Sequence, residues 1–201
     1  MQKRILIADD HPMARKGLRA IFEYYFKDTD LTEASTCNEI MRKLLKTAYS
    51  HLILDITLTD GTVLEILPNI VSLYPRSNIL ICSMQPATVY QRALNHYGIY
   101  HYLSKSLPEK SIICLLRKFL NNERPAQEED AQIKDNPFSH LTARELEILH
   151  YILQGMGSNE IANILNIKYN TVSTARTHIL EKSLTNNMTE LYELATRYNV
   201  T

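Results

Sequence analysis

The sequence predicts an α/β protein: a five-stranded, doubly wound parallel sheet followed by a small all-α unit. Three observations carry that expectation. Short β-type runs alternate with longer helical patterns through residue 121, which implies βαβ units and a parallel sheet covered on both faces. A polar, proline-bearing stretch interrupts the pattern at 123–137. Beyond it the periodicity is helical only.

The predicted strands are RILIA (4–8), DLTEAS (30–35), HLILD (51–55), NILICS (78–83) and IYHYLS (99–104). Their aliphatic and aromatic content and their length fit strands better than helices. Helical periodicity fills 12–26, 38–48, 62–73, 87–97 and 109–121. Sheets of this kind bind ligands beyond the carboxyl ends of the strands, near the switch in strand order. Asp9, Asp10 and Asp55 all fall at such ends, and so are expected to share a site.

The stretch ERPAQEEDAQIKDNP (123–137) holds five acids, two bases and two prolines with almost nothing apolar, and reads as a linker. It divides the chain into 1–122, the linker 123–137, and 138–201. After it, Thr142 with Glu145 forms a capping box, and Leu141 with Leu146 supplies the hydrophobic staple. Gly155 closes that helix, a second runs through NEIANIL (159–165), a third begins after Asn170, and a fourth covers 188–198. Short helices joined by a tight Gly-Met-Gly-Ser connection suggest a helix-turn-helix module.

Composition narrows the classes. The formal net charge of zero over 201 residues excludes a uniformly basic nucleic-acid binder, though not a local patch. Cys37, Cys82 and Cys114 are too few and scattered for a disulfide framework or a cysteine-rich zinc site, and read as free thiols of a reducing compartment. The apolar run after Lys3 and Arg4 is too short for a signal-peptide core or a membrane span. A cytoplasmic protein with no membrane partner is expected.

Converging carboxylates raise one another's pKa and resist joint ionisation. A divalent cation removes the conflict, and Mg²⁺ suits a hard-oxygen site of one or two carboxylates, water and a phosphate oxygen. Ser83 ends the fourth strand and Lys105 follows the fifth, so a hydroxyl and an ammonium reach the same rim.

These residues make the first 122 resemble the receiver domain of two-component response regulators. The resemblance rests on ADD after the first strand, LILD at the third, ICS at the fourth and YLSK at the fifth, with intervals of 45, 28 and 22 from Asp10 through Asp55 and Ser83 to Lys105. It implies a flavodoxin-like receiver in which Asp55 accepts a phosphoryl group from the phosphohistidine of a sensor histidine kinase. It also implies Mg²⁺ held by Asp10 and Asp55, by Asp9 through water, and by the backbone carbonyl of Thr57. Lys105 would pair with phosphoryl oxygen, Ser83 would hydrogen-bond to it, and Tyr102 would be the aromatic that follows. His11 is read as a loop residue. The chain departs from the family at Thr59, where proline is usual, at Val63, where glycine is frequent, and at Met84, a bulky residue expected to narrow access to the site.

The segment from Leu141 onward resembles the NarL/LuxR type of helix-turn-helix through LTARELEIL, QGMGSNEIA, NTVSTARTHIL and NNMTEL. The resemblance implies that the third helix enters the major groove of double-stranded DNA, where phosphate contacts position it and base edges specify. Asn170, Ser173, Thr174 and Thr177 face outward on a helical wheel, whereas Val172, Ile179 and Ser183 share the core side with Arg176. Lys168, Arg176 and Lys182 are the basic residues near that helix; Arg176 is either a phosphate contact or a structural partner of Glu145. Ser173, Asn159 and Ser183 stand where lysine, lysine and leucine are usual, and 138–201 carries five bases against six acids. Weak intrinsic DNA affinity, offset by homodimerisation, is the expected consequence.

The resulting expectation is a response regulator transcription factor, not an enzyme, whose phosphorylation controls dimerisation and DNA binding. Two alternatives stand beside it. One is a regulator acting through protein contacts or independently of phosphorylation; the other is an Mg²⁺-dependent phosphohydrolase, which would call for a second Asp where Thr57 stands.

Overall fold

The structure is a computed structural model that describes residues 2–124 and 136–200. Most of the predicted linker, 125–135, lies outside the described residues. By their contacts the described residues form two units: 2–84 with 97–124, and 85–96 with 136–200.

The first unit is built on β1 (Lys3–Ala8), β2 (Thr29–Ala34), β3 (His51–Leu54), β6 (Asn78–Ser83) and β7 (His101–Ser104). They form one parallel sheet in the order β2-β1-β3-β6-β7. The direction of winding reverses between β1 and β3, the position at which such sheets open a crevice. Every residue of Ile5–Ala8 and of β3 is buried. That explains their uninterrupted apolar runs, since central parallel strands are covered on both faces.

The helices are α1 (Pro12–Tyr25), α2 (Cys37–Lys46), α3 (Val63–Leu73), α4 (Ala87–His96) and α5 (Glu109–Leu120). Ile5, Ile7, Ile53, Leu80, Cys82 and Leu103 form one core with Leu18 and Phe22 of α1 and Leu116, Phe119 and Leu120 of α5. Strand side chains alternate, so Leu6, Leu52, Leu54, Ile79 and Ile81 point to the other face, which leaves that side to the buried Ile40, Leu44, Leu67 and Ile70 of α2 and α3. All five predicted strands and five predicted helices of this region are present to within about two residues at each boundary, the usual fraying range.

One element was not expected. β4 (Thr57–Leu58) and β5 (Gly61–Thr62) form a small antiparallel hairpin after β3. Gly61 holds φ +143°, a conformation side chains resist. At the hairpin turn Asp60 accepts hydrogen bonds from the amides of Cys37 (2.7 Å) and Asn38 (3.0 Å), adding to the cap that Thr36 provides for α2.

In the second unit a 3₁₀ turn, Pro137–His140, precedes α6 (Ala143–Leu153), α7 (Ser158–Ile164), α8 (Tyr169–Lys182) and α9 (Met188–Arg197). The Thr142–Glu145 capping box forms in both directions, at 3.2 and 2.7 Å. Gly155, at φ +82°, ends α6. Phe138, Leu146, Leu149, Ile161, Val172, Ile179 and Leu191 are buried. α4 groups with these helices: Asn136 Nδ2 donates to Thr88 Oγ1 (3.0 Å), and Arg92 Nη1 lies 2.7 Å from His140 Nδ1.

The third helix of this unit begins earlier than expected. Asn170 reads as a cap, but Lys168 takes the extended cap conformation and Tyr169 is already helical. Among the described residues no helix is long and apolar enough to cross a membrane.

Candidate functional site

The sheet's hydrogen-bond ladder runs one residue past its strands, and that extension assembles a site. Asp9 N donates to Ala34 O (3.1 Å), Asp55 N to Ala8 O (2.8 Å) and Lys105 N to Ser83 O (2.9 Å). Asp9, Asp55, Ser83 and Lys105 therefore start from fixed points on one rim. Asp9 (1% exposed), Asp55 (5%) and Ser83 (3%) are buried there. Arg15 stiffens the turn after β1: its Nη1 donates to the Asp9 carbonyl (2.6 Å) while Nε binds Glu33 (3.1 Å). The amide of His11 donates to Asp9 Oδ1 (2.9 Å), closing the turn from the other side.

Lys105 is the centre of the charge arrangement. Its Nζ lies 2.5 Å from Asp55 Oδ2 and 2.7 Å from Asp9 Oδ2. Burial pushes the Asp55 carboxyl above the usual carboxylate range; Lys105 opposes the shift and Asp9 adds to it. Burial alone would lower the Lys105 ammonium, but the two carboxylates outweigh it and hold its pKa up. The amide of Ile56 donates to Asp55 Oδ1 (2.7 Å).

One cation leaves two buried carboxylates and the half-buried Asp10 with a surplus of negative charge. Asp9 Oδ2 and Asp10 Oδ1 are shielded from solvent, each with one nitrogen at 2.7 Å, Lys105 Nζ and His11 Nδ1 respectively. Ligand atoms of Asp9, Asp10, His11 and Asp55 all lie within 4.8 Å of one another. Three carboxylates in that set, with one buried ammonium to balance them, on a crevice open to water and phosphate, fit a hard dication such as Mg²⁺. Thr57 starts the hairpin two residues after Asp55, with its backbone fixed by pairing to Thr62.

In the second unit α8 presents Lys168, Asn170, Ser173, Thr174 and Thr177 to solvent, while Val172, Ala175 and Ile179 are buried. A helix exposing small polar side chains after a short helix and a tight turn is the geometry of a major-groove reader.

The comparisons fit both halves. Residues 5–117 match the family model described as response regulator receiver domain. Residues 139–195 match that of bacterial regulatory proteins, luxR family. The chain is a response regulator of the NarL/LuxR type. It is 29% identical to the oxygen regulatory protein NreC of Staphylococcus carnosus (strain TM300) over 212 residues, covering 96% of each chain. Among solved structures it is similar in fold to RcsB from Salmonella enterica serovar Typhimurium bound to promoter P1flhDC in the presence of the phosphomimetic BeF3- (TM-score 0.83, 20% identity, 96% of this chain and 98% of that one). A second RcsB–DNA complex gives TM-score 0.83 at 21% identity, with the same coverage. Response regulators of this type are transcription factors, which removes the phosphohydrolase alternative.

In this response regulator the structure brings together Asp9, Asp10, Asp55 and Lys105, with Ser83 joined to Lys105 through its backbone. Tyr102 sits half-buried on β7 opposite Ile81. Met84 is 67% exposed directly after Ser83. Of the two alternatives for Arg176, the pairing with Glu145 is not made. Glu145 binds Lys182 Nζ through both oxygens (2.8 and 2.7 Å), and Arg176 Nη1 donates instead to Ser158 Oγ (3.0 Å). The reason is geometric: the cap end of α6 meets the last turns of α8, whereas the start of α7 meets its middle. Sequence reading also passed over Arg15 and the nearness of His11 to the carboxylates. Proline at the first position of α1 was the available signal, because it fixes where the turn ends and the helix begins.

Proposed function

We propose that Asp55 accepts a phosphoryl group from the phosphohistidine of a sensor kinase, and that the modification controls dimerisation and promoter binding through α8. The observation that carries this reading is Lys105 held between Asp55 and Asp9, at 2.5 and 2.7 Å, on the sheet rim. The N–P bond of the donor breaks as the bond to an Asp55 carboxylate oxygen forms, and the charge on the transferring group meets the Lys105 ammonium. Mg²⁺, held by Asp10, Asp55 and the Thr57 carbonyl with Asp9 through water, would neutralise the remaining charge. Phosphorylation adds a charge of about −1.5 to −2 and new acceptor oxygens. Ser83, at the same rim, is the hydroxyl placed to answer them, with Tyr102 following.

The receiver spans 1–122, the linker 123–137 and the output domain 138–201 in this reading. Lys168, Asn170, Ser173, Thr174, Arg176 and Thr177 contact DNA in this reading, with Arg176 also bonded through Nη1 to Ser158 Oγ. The promoter complexes of RcsB support a DNA output.

The test is intact mass after incubation with acetyl phosphate and Mg²⁺, alongside Asp55→Asn and a chelated sample. A labile phosphoryl adduct in wild type with metal, absent from both controls, is the expected result. A folded wild type that stays unmodified, also with a phosphorylated kinase as donor, overturns it.

A further inference from the structure

We infer that His51 is a proton-operated latch: acidification releases the carboxyl end of α5 from the sheet, close to where the chain leaves for the second unit. The latch lies at the amino end of β3, whereas Asp55 follows its carboxyl end, so the inference does not rest on the phosphoacceptor chemistry. His51 is 2% exposed, with Ile5 of β1 and Asn78 of β6 beside it in the sheet register. Its ring meets the buried Phe119 of α5 edge-on, 4.9 Å between centroids, and His101 of β7 meets the same phenyl ring at 5.2 Å. Lys3 Nζ donates to the Leu120 carbonyl, and Asn122 Oδ1 accepts from Asn78 Nδ2 (2.6 Å). The last turn of α5 is therefore held by groups from three strands, with His51 the most deeply buried titratable one among them.

The bonding pattern fixes where a second proton must go. Ser50 Oγ donates to the Arg4 carbonyl (3.0 Å), so it accepts from His51 Nδ1 (2.9 Å). The neutral ring then has its proton on Nδ1 and its lone pair on Nε2. That nitrogen is shielded from solvent, against the Asn122 side chain and the carbonyls of Phe119 and Leu120. Protonation there makes the ring a cation in a closed space. Burial opposes it most and the Lys3 ammonium adds to the opposition; Asn122 and the α5 carbonyls only partly offset them, so the His51 pKa lies below its ordinary 6.5. The groups around the ring are Lys3 from β1, Asn78 from β6, and Phe119, Leu120 and Asn122 from the end of α5, with His101 of β7 beyond Phe119. Glu123, the acid at that end of α5, accepts instead from Asn121 Nδ2 (3.0 Å). A charged His51 is relieved by opening, in which the end of α5 lifts and the ring reaches water. Burial lowers the His101 pKa as well, but that ring is only half-buried and solvent screens its charge, so His51 carries the effect.

The experiment uses the full chain. The Cε1 proton of His51, followed by NMR through a pH titration, should give a midpoint below 6.5. Hydrogen exchange of the amides from Leu116 to Asn122, corrected for intrinsic rates, should lose about tenfold in protection on going from about pH 7.5 to about pH 5.5, one unit below the ordinary histidine value. His51→Gln, which cannot take a charge, should lose little over the same range, whereas His101→Gln should keep the wild-type loss. A His51 midpoint at or above 6.5, protection that does not change with pH, or a loss that persists in His51→Gln overturns the inference. The midpoint is read on wild type, and so decides even where a variant does not fold.

Discussion

At the scale of single residues the site is an electrostatic conflict held in place by backbone bonds. Asp55 titrates above its ordinary value of 3.8, so the native state holds that proton more tightly than the unfolded chain does. Its contribution favours folding below pH 3.8 and is lost as the pH rises through the folded value, leaving the ionised carboxylate a net burden at neutral pH. Asp55→Asn is therefore expected to raise the melting temperature at pH 7 by a few degrees, and to shrink the gain that Mg²⁺ gives wild type. Thermal unfolding with and without Mg²⁺ checks both; a lower melting temperature for Asp55→Asn would mean that the Lys105 bond outweighs burial. Glu145 shows the opposite case. Burial acts to raise its pKa, but Lys182 and Thr142 prevail and lower it, so its contribution is present above 4.5 and lost as the pH falls through the folded value.

At the scale of elements, helix caps tie the functional loops to the sheet. The hairpin carrying Thr57 is fastened to α2 by Asp60, whose carboxylate takes the Cys37 and Asn38 amides. These amides lack intrahelical partners, so a second cap is worth having. Asp60→Ala should cost about 1 kcal/mol, the loss typical of an N-cap. It should also slow phosphorylation by acetyl phosphate, because the segment after Asp55 is no longer pinned. Denaturant unfolding and adduct kinetics measure the two effects separately. An unchanged adduct rate would show that the hairpin holds itself.

At the scale of the whole molecule, charge is spent inside the output domain. Of the five basic residues in 138–201, Arg144 pairs with Glu147 at 2.5 Å, Lys182 with Glu145 at 2.7 Å, and Arg176 braces Ser158 at 3.0 Å. Lys168, at the start of α8, and Arg197, in the last turn of α9, are both exposed, and of the two only Lys168 lies by the outward face of α8. DNA affinity should therefore depend weakly on salt. Lys168→Ala should weaken binding to all duplexes alike and reduce the slope of log K against log salt by about 1 per subunit. Titration of a duplex selected from a random pool, across a salt series, reads this directly. A slope unaffected by Lys168 would favour the alternative of an output that works through protein contacts.

The sequence by itself determined the order and kind of the elements, the β4–β5 hairpin apart, and the rim residues of the receiver. Central parallel strands leave unbroken apolar runs, as in ILIA and HLIL, and chemistry at strand ends leaves polar residues directly after them, as at Asp9, Asp55 and Lys105. Capping boxes are equally local, so Thr142 and Glu145 could be read from their spacing. Only the tertiary structure decided the partners that come from distant parts of the chain. Which cation meets Glu145, that Arg15 reaches both Glu33 and the Asp9 carbonyl, and that Asp60 caps a helix 23 residues earlier all depend on how elements pack. Side-chain reach from one element to another is fixed by packing distance and direction, and periodicity along a single segment carries no record of either.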